Sequence, residues 1–185
     1  LETQYKNIHQ SIIDQCKAGN REAQFELYKL YYKSMYNTSL RIVGNCGDAE
    51  DVMQESFLSV FNKLDSYEGK VSFGAWFKKI VVNRSLDYLK KRKVVFEEID
   101  ERVMDEEANP QMEIRQIDLN KLKQAIMKLP EGYRVVLSLY LLEGYDHDEI
   151  AEILHVSNVS SRTQLSRAKR KLRDLLVKDE LFSFN

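Results

Sequence analysis

Proline and glycine are scarce. Two Pro and seven Gly in 185 residues are too few for the many tight turns of an all-β sandwich or barrel. Cysteine is nearly absent: Cys16 and Cys46 cannot build a disulfide framework, fit a reducing compartment, and read as buried or incidental thiols. No apolar run approaches the roughly 18 residues of a membrane span, and the first residues carry no signal-peptide pattern. The expectation is therefore a cytoplasmic chain without membrane insertion. Catalytic groupings are missing too. His9, His147 and His155 stand far apart or across a turn, with no metal-ligand spacing, Gly-rich phosphate loop or nucleophile–His constellation. No enzyme activity, cofactor, metal or small-molecule substrate is expected. Charge of one sign is also lacking, since 28 Lys and Arg against 29 Asp and Glu leave a net charge of −1.

That last absence is deceptive, because the average hides blocks. Residues 69–93 hold 8 basic groups and 1 acidic, residues 94–118 hold 2 and 9, and residues 155–178 hold 7 and 1. Patches rather than totals govern binding to a polyanion. A hydrophobic fraction of 43% with 31% charged residues suits a globular chain with room for one full domain or two small ones.

Helical periodicity dominates and no strand signal competes, so the expected class is all-α. Asn20 is placed to cap a helix over about 21–43, ended by Gly44, with Phe25, Tyr28, Tyr32, Met35, Tyr36 and Leu40 on its inner side. A second helix is expected over about 48–64 and a third over about 73–93, separated by a loop at 65–72. The acidic stretch 94–118, with Asn109-Pro110, reads as a linker. Helices then follow over 119–129, 131–142, 147–154 and from 158 to about 177. The predicted organisation is an N-terminal domain 1–93, the linker, and a C-terminal domain 119–185 whose last two helices form a helix-turn-helix across His155-Val156-Ser157.

Three helix faces carry candidate chemistry. On the last helix, Leu165, Ala168, Leu172, Leu175 and Leu176 fall on one side and Arg162, Thr163, Ser166, Arg167, Arg170 and Arg173 on the other. Long donors and short hydroxyls suit phosphates and base edges in a major groove, with Ser157 as N-cap. The plain alternative is an ordinary solvated basic face. The third helix aligns Trp76, Lys79, Asn83, Asp87 and Lys90 at spacings of three and four, beside an apolar side of Phe73, Phe77, Ile80, Val81 and Tyr88. Trp next to Asn and Lys can stack on an unpaired base, bond its edge and hold its phosphate, which suits single-stranded or melted DNA. The loop with Tyr67, Gly69, Lys70 and Ser72 is placed to close over such a base. Taken alone, core packing of Trp76 is the simpler reading. On the second helix Glu50, Asp51, Gln54, Glu55 and Asn62 oppose the apolar stripe; that face suits a basic partner protein, or is merely solvated.

The combination resembles a family. Asp48-Ala-Glu-Asp-Val-Met-Gln-Glu-Ser-Phe57, Phe73-Gly-Ala-Trp-Phe-Lys-Lys-Ile80 and Asn83-Arg-Ser-Leu-Asp-Tyr-Leu89 look like region two of bacterial RNA polymerase sigma factors. Leu129-Pro-Glu-Gly-Tyr-Arg134, Glu143-Gly-Tyr-Asp-His-Asp-Glu-Ile-Ala-Glu-Ile-Leu154 and Ser166-Arg-Ala-Lys169 resemble region four. Two regions and a short linker point to the extracytoplasmic-function subgroup of the sigma-70 family. The resemblance implies core RNA polymerase and promoter DNA as partners, and an anti-sigma factor that holds the protein silent. It implies that Asp48, Glu50, Asp51, Gln54 and Glu55 meet the polymerase clamp. Tyr67, Lys70, Phe73, Trp76, Lys79 and Asn83 would capture the melted minus-ten strand. Ser160, Arg162, Thr163, Gln164, Ser166, Arg167 and Arg170 would read the minus-thirty-five duplex, while the acidic linker threads the polymerase channel that RNA later occupies.

Three positions depart from the family pattern. His155 stands where Gly is usual, which predicts a left-handed backbone there. Ser161 replaces an apolar residue, and the helical wheel turns it inward. Gln164 replaces a base-reading cation and by itself favours adenine over guanine. The rival class is a dimeric helix-turn-helix regulator that binds a palindromic duplex without polymerase.

Overall fold

The computed structural model describes residues 8–92 and 118–181, with side chains as far as 177. Every described element is helical, and the chain divides into two compact units, 1–94 and 95–185. Each unit has its own core. The expected linker, apart from its last residue, lies outside the described residues.

The N-terminal unit holds α1 (Gln10–Lys17), α2 (Arg21–Val43), α3 (Cys46–Asn62), a 3-10 turn at Leu64–Ser66, and α4 (Phe73–Lys91). The Asn20 side chain accepts from the amides of Glu22 at 2.9 Å and Ala23 at 3.1 Å, starting α2 where the sequence predicts. Gly44, at φ 93°, ends it by donating its amide to the Leu40 carbonyl at 2.9 Å. Asn45 then caps α3 through the Asp48 amide at 2.8 Å, so this helix begins two residues earlier than its apolar stripe alone suggests. Helices α2, α3 and α4 pack on one another around Leu27, Met53, Phe57, Phe73, Phe77 and Val81, and α1 adds Ile13 and Cys16. Truncating one of these fully buried rings to Ala costs about 3–5 kcal/mol.

The inner side of α2 differs from the expected one. Ala23, Leu27, Met35, Thr38, Ser39, Ile42 and Val43 are buried, while Phe25 is 61% and Tyr28 37% exposed. The aromatic residues flank the buried stripe rather than define it. Tyr28 rests on Phe57 at 4.7 Å and on Tyr32 at 4.9 Å, so large amphipathic rings gain contact from the edge of the interface.

The C-terminal unit holds α5 (Leu119–Met127), α6 (Glu131–Leu137), α7 (His147–Leu154) and α8 (Asn158–Leu181). The helix expected over 131–142 changes pitch: Ser138–Leu142 is π-helical, and the Glu143 amide donates to the Ser138 carbonyl at 3.0 Å. A capping box opens α7. The Asp146 carboxylate accepts from the amides of Asp148 and Glu149, and the Glu149 carboxylate accepts from the Asp146 amide at 2.9 Å. His155 lies at φ 57°, ψ 45°, the left-handed cap foreseen from its position, and is the sole non-glycine with positive φ among the described residues. Ser157 Oγ accepts from the Ser160 amide at 3.1 Å and starts α8. Val135, Val136, Leu139, Ile150, Leu165 and Ala168 form the buried centre. Helices α7 and α8, joined by residues 155–157, are a helix-turn-helix.

Candidate nucleic-acid and partner interfaces

Helices α3 and α4 leave a groove of about 580 Å³ between Asp51, Gln54, Glu55 and Leu58 on one wall and Arg84, Asp87, Lys90 and Lys91 on the other. Arg84 Nη1 crosses it to Glu55 Oε2 at 3.1 Å. Both side chains are well exposed, and such a pair contributes little to stability. Glu50, Asp51, Gln54 and Glu55 are all exposed. Leu58, 65% exposed, adds an apolar centre to the acidic face. Asp48 differs from them. The Tyr88 hydroxyl, the Asn45 amide and the Arg92 guanidinium at 3.1 Å surround its carboxylate and hold its pKa below the ordinary range. Asp48 is thereby committed to joining the start of α3 to the end of α4.

The turn after α3 is built from within. Tyr67 is 6% exposed; its hydroxyl donates to the Val71 carbonyl at 2.6 Å, and its own carbonyl accepts from Lys17 Nζ at 3.4 Å. Its ring packs on Phe73 at 5.4 Å and on Trp76 at 5.3 Å. Phe73 is fully buried in the core. Two residues expected to touch a base therefore belong to the scaffold. Buried rings shape the loop and leave no face for a ligand. Trp76 is half-buried, braced by Tyr67 and by Phe73 at 5.6 Å, and Lys79 and Asn83 stand exposed on the same stripe. Lys70 is exposed on the loop and pairs with Glu68 at 2.5 Å. Of the six expected residues, Lys70, Trp76, Lys79 and Asn83 thus remain at least partly accessible, the last three on one stripe of α4.

On α8, Arg162, Ser166 and Arg170 are exposed and Thr163 and Arg167 half-buried. Ser160 and Gln164, also expected at the DNA, are 0% and 3% exposed and lie with Ser161, Leu165 and Ala168 on the inward stripe. The reason is angular: at 100° per residue Gln164 sits only about 40° from Ala168, well inside the packed arc. The adenine preference argued from Gln164 lapses, because the amide does not reach the groove.

Sequence reasoning missed the supports of this face. His147 Nδ1 meets the buried Ser161 Oγ at 2.9 Å, and the imidazole stacks on Tyr140 at 4.5 Å. Asn158 Nδ2 donates to Asp148 Oδ1 at 2.6 Å, and Arg162 Nε donates to Asn158 Oδ1 at 2.7 Å. The one available signal was Ser161 itself. A hydroxyl turned inward requires a polar partner. Among the described residues no group of three or more His, Cys, Asp or Glu is placed to hold a metal ion, and no helix is long and apolar enough to cross a membrane.

Comparisons with known proteins fit both units. Residues 27–94 match the Sigma-70 region 2 family and residues 119–172 the Sigma-70 region 4 family. The chain is 27% identical over 180 residues to the ECF RNA polymerase sigma factor SigW of Bacillus subtilis strain 168, covering 89% of this chain and 94% of that protein. It is 30% identical over 152 residues to the RNA polymerase sigma factor SigV of the same organism, covering 80% and 88%. Among solved structures, the sigma factor RpoE in complex with the anti-sigma factor NepR from Bartonella quintana shares the fold with a TM-score of 0.52 at 21% identity, over 82% of this chain and 94% of that one. The fit of both regions, in the order the motifs predict, removes the dimeric-regulator reading. The chain belongs to the extracytoplasmic-function sigma factors of the sigma-70 family, which recognise promoters and direct transcription initiation through RNA polymerase.

Proposed function

We propose a division of that work among three surfaces. Glu50, Asp51, Gln54 and Glu55, with Leu58 among them, form the contact to the core polymerase. Their exposure and the open groove beside them support this. Lys70, Trp76, Lys79 and Asn83 take up the melted minus-ten strand. Arg162, Thr163, Ser166, Arg167 and Arg170 read the minus-thirty-five duplex. The corresponding domains are 1–93 and 119–185, with 94–118 as an acidic linker in the polymerase channel. The protein acts as a cytoplasmic initiation factor rather than an enzyme, without cofactor or small-molecule substrate. An anti-sigma factor is its expected inhibitor, by analogy with the RpoE–NepR complex.

One observation carries the assignment of the melted strand. Trp76 is half-exposed beside exposed Lys79 and Asn83, and Tyr67 and Phe73 brace its indole from behind. A braced aromatic face beside a cation and an amide is a stacking platform for a base, and duplex DNA offers no base face to it. Trp76→Ala should weaken capture of an unpaired minus-ten oligonucleotide by about 1–3 kcal/mol while leaving core-polymerase affinity unchanged. Fluorescence anisotropy on the assembled holoenzyme measures both. Equal loss of both affinities, together with a collapsed melting transition, would instead make Trp76 a core residue.

A further inference from the structure

Arg162 is the first exposed cation of α8, and its side chain is held at Nε by Asn158 Oδ1 at 2.7 Å. Asn158 Nδ2 in turn donates to Asp148 Oδ1 at 2.6 Å. Asp148 belongs to α7, whereas Asn158 and Arg162 belong to α8, so a chain of hydrogen bonds runs from the supporting helix into the recognition helix. Its anchors are fixed. Asp148 lies in the first turn of α7, within the Asp146–Glu149 capping box, and its own amide donates to the Asp146 carboxylate at 2.9 Å. Directly before it, His147 meets the fully buried Ser161 at 2.9 Å and ties the two helices together from beneath.

With Nε engaged, the donors Arg162 turns to a ligand are those on its two terminal nitrogens. They lie in one plane and form a fork that matches two acceptors side by side. Duplex DNA offers such pairs at guanine O6 and N7 and on phosphate oxygens. We infer that Asp148 and Asn158 are positioning residues that orient the Arg162 guanidinium for paired acceptors on duplex DNA, an inference that rests on α8 as the duplex-reading helix. Neither residue needs to touch DNA. Their contribution is to restrict Arg162 before binding, so that less rotamer freedom is lost on contact.

The test separates geometry from charge. Asp148→Asn and Asp148→Ala remove the same negative charge, but only Asn keeps an acceptor for the Asn158 amide. A randomised duplex pool is selected on the full chain bound to core polymerase, and the selected duplex serves as probe for every variant. Asp148→Asn should bind about three- to tenfold more tightly than Asp148→Ala, the range set by ordering one long side chain. That difference should vanish in an Arg162→Ala background, where Asn158→Ala should also cost nothing further. A loss confined to one base pair identifies a base edge as the acceptor, and a uniform loss with a shallower salt slope identifies a phosphate; either supports the relay. Equal binding by the two Asp148 variants, or a difference that persists without Arg162, overturns it. If no duplex is selected and Arg162→Ala costs nothing, the duplex reading of α8 fails, and the relay with it.

Discussion

His147 is the residue most sensitive to its surroundings in the helix-turn-helix. Burial between Tyr140 and Ser161 is the main force holding its pKa below the ordinary 6.5. Arg162 and Lys169 of α8 push the same way, and Asp146 and Asp148 of its own end of α7 oppose them. The unfolded chain therefore takes up this proton at a higher pH than the folded one. Stability is fully present above the unfolded value and falls as the pH drops through 6.5 towards the lowered folded value. Urea titrations followed by circular dichroism at pH 7.5 and 5.5 should show that loss. The double variant His147→Phe/Ser161→Ala, which leaves no orphaned hydroxyl, should reduce it. An unchanged pH dependence in that variant would place the effect elsewhere. Single residues were the least legible scale in the sequence. Trp76, Lys79 and Asn83 could be placed on one stripe by spacing, and Ser161 could be turned inward. Ser160 and Gln164 could not be separated from the DNA face by motif matching, because burial depends on where the centre of the packed arc falls. Spacing put Phe73 on the apolar side, where it is buried, and only the family resemblance moved it, with Tyr67, to the DNA: an aromatic residue beside a nucleic-acid surface and one beneath it look alike in a motif.

Helix identity was far more legible, because caps carry local chemistry. Asn20, Gly44, Ser157 and the left-handed His155 all punctuate the chain where side-chain type predicts. Helix α1 escaped notice since eight residues give too short a period to register. The π-helical turn at Ser138–Leu142 escaped because its apolar residues fit an α-helix equally well. The cap at His155 gives an element-scale prediction. A residue with a Cβ pays for the left-handed conformation, about 1 kcal/mol, and Gly does not. His155→Gly should raise the stability of the C-terminal unit by about 0.5–1 kcal/mol in urea titrations at neutral pH. A loss of stability would mean that the imidazole makes contacts worth more than the backbone strain. The change leaves α7 and α8 in register, so duplex binding should stay as it is.

For the whole molecule, the net charge of −1 conceals the feature that matters. Each unit has exposed or half-exposed cations on its candidate nucleic-acid side: Lys70 on the loop and Lys79 on the Trp76 stripe in one, and Arg162, Arg167 and Arg170 along α8 in the other. Between them in sequence stand nine acidic and two basic residues over 94–118. The acidic residues of α3 and Arg84, Lys90 and Lys91 of α4 line opposite walls of one groove, bridged by the Arg84–Glu55 pair, and the groove does not include Lys70, Trp76, Lys79 or Asn83. The central claim is that these surfaces work together only on the polymerase. In-vitro transcription with purified core enzyme, across a library of genomic promoter fragments, tests it most directly. The unaltered chain should yield discrete promoter-dependent transcripts that core enzyme alone does not make, and Glu55→Lys should abolish them by weakening assembly rather than DNA binding. Tight, sequence-specific binding of the free chain to duplex DNA, with no promoter-dependent transcript from any fragment, would contradict it.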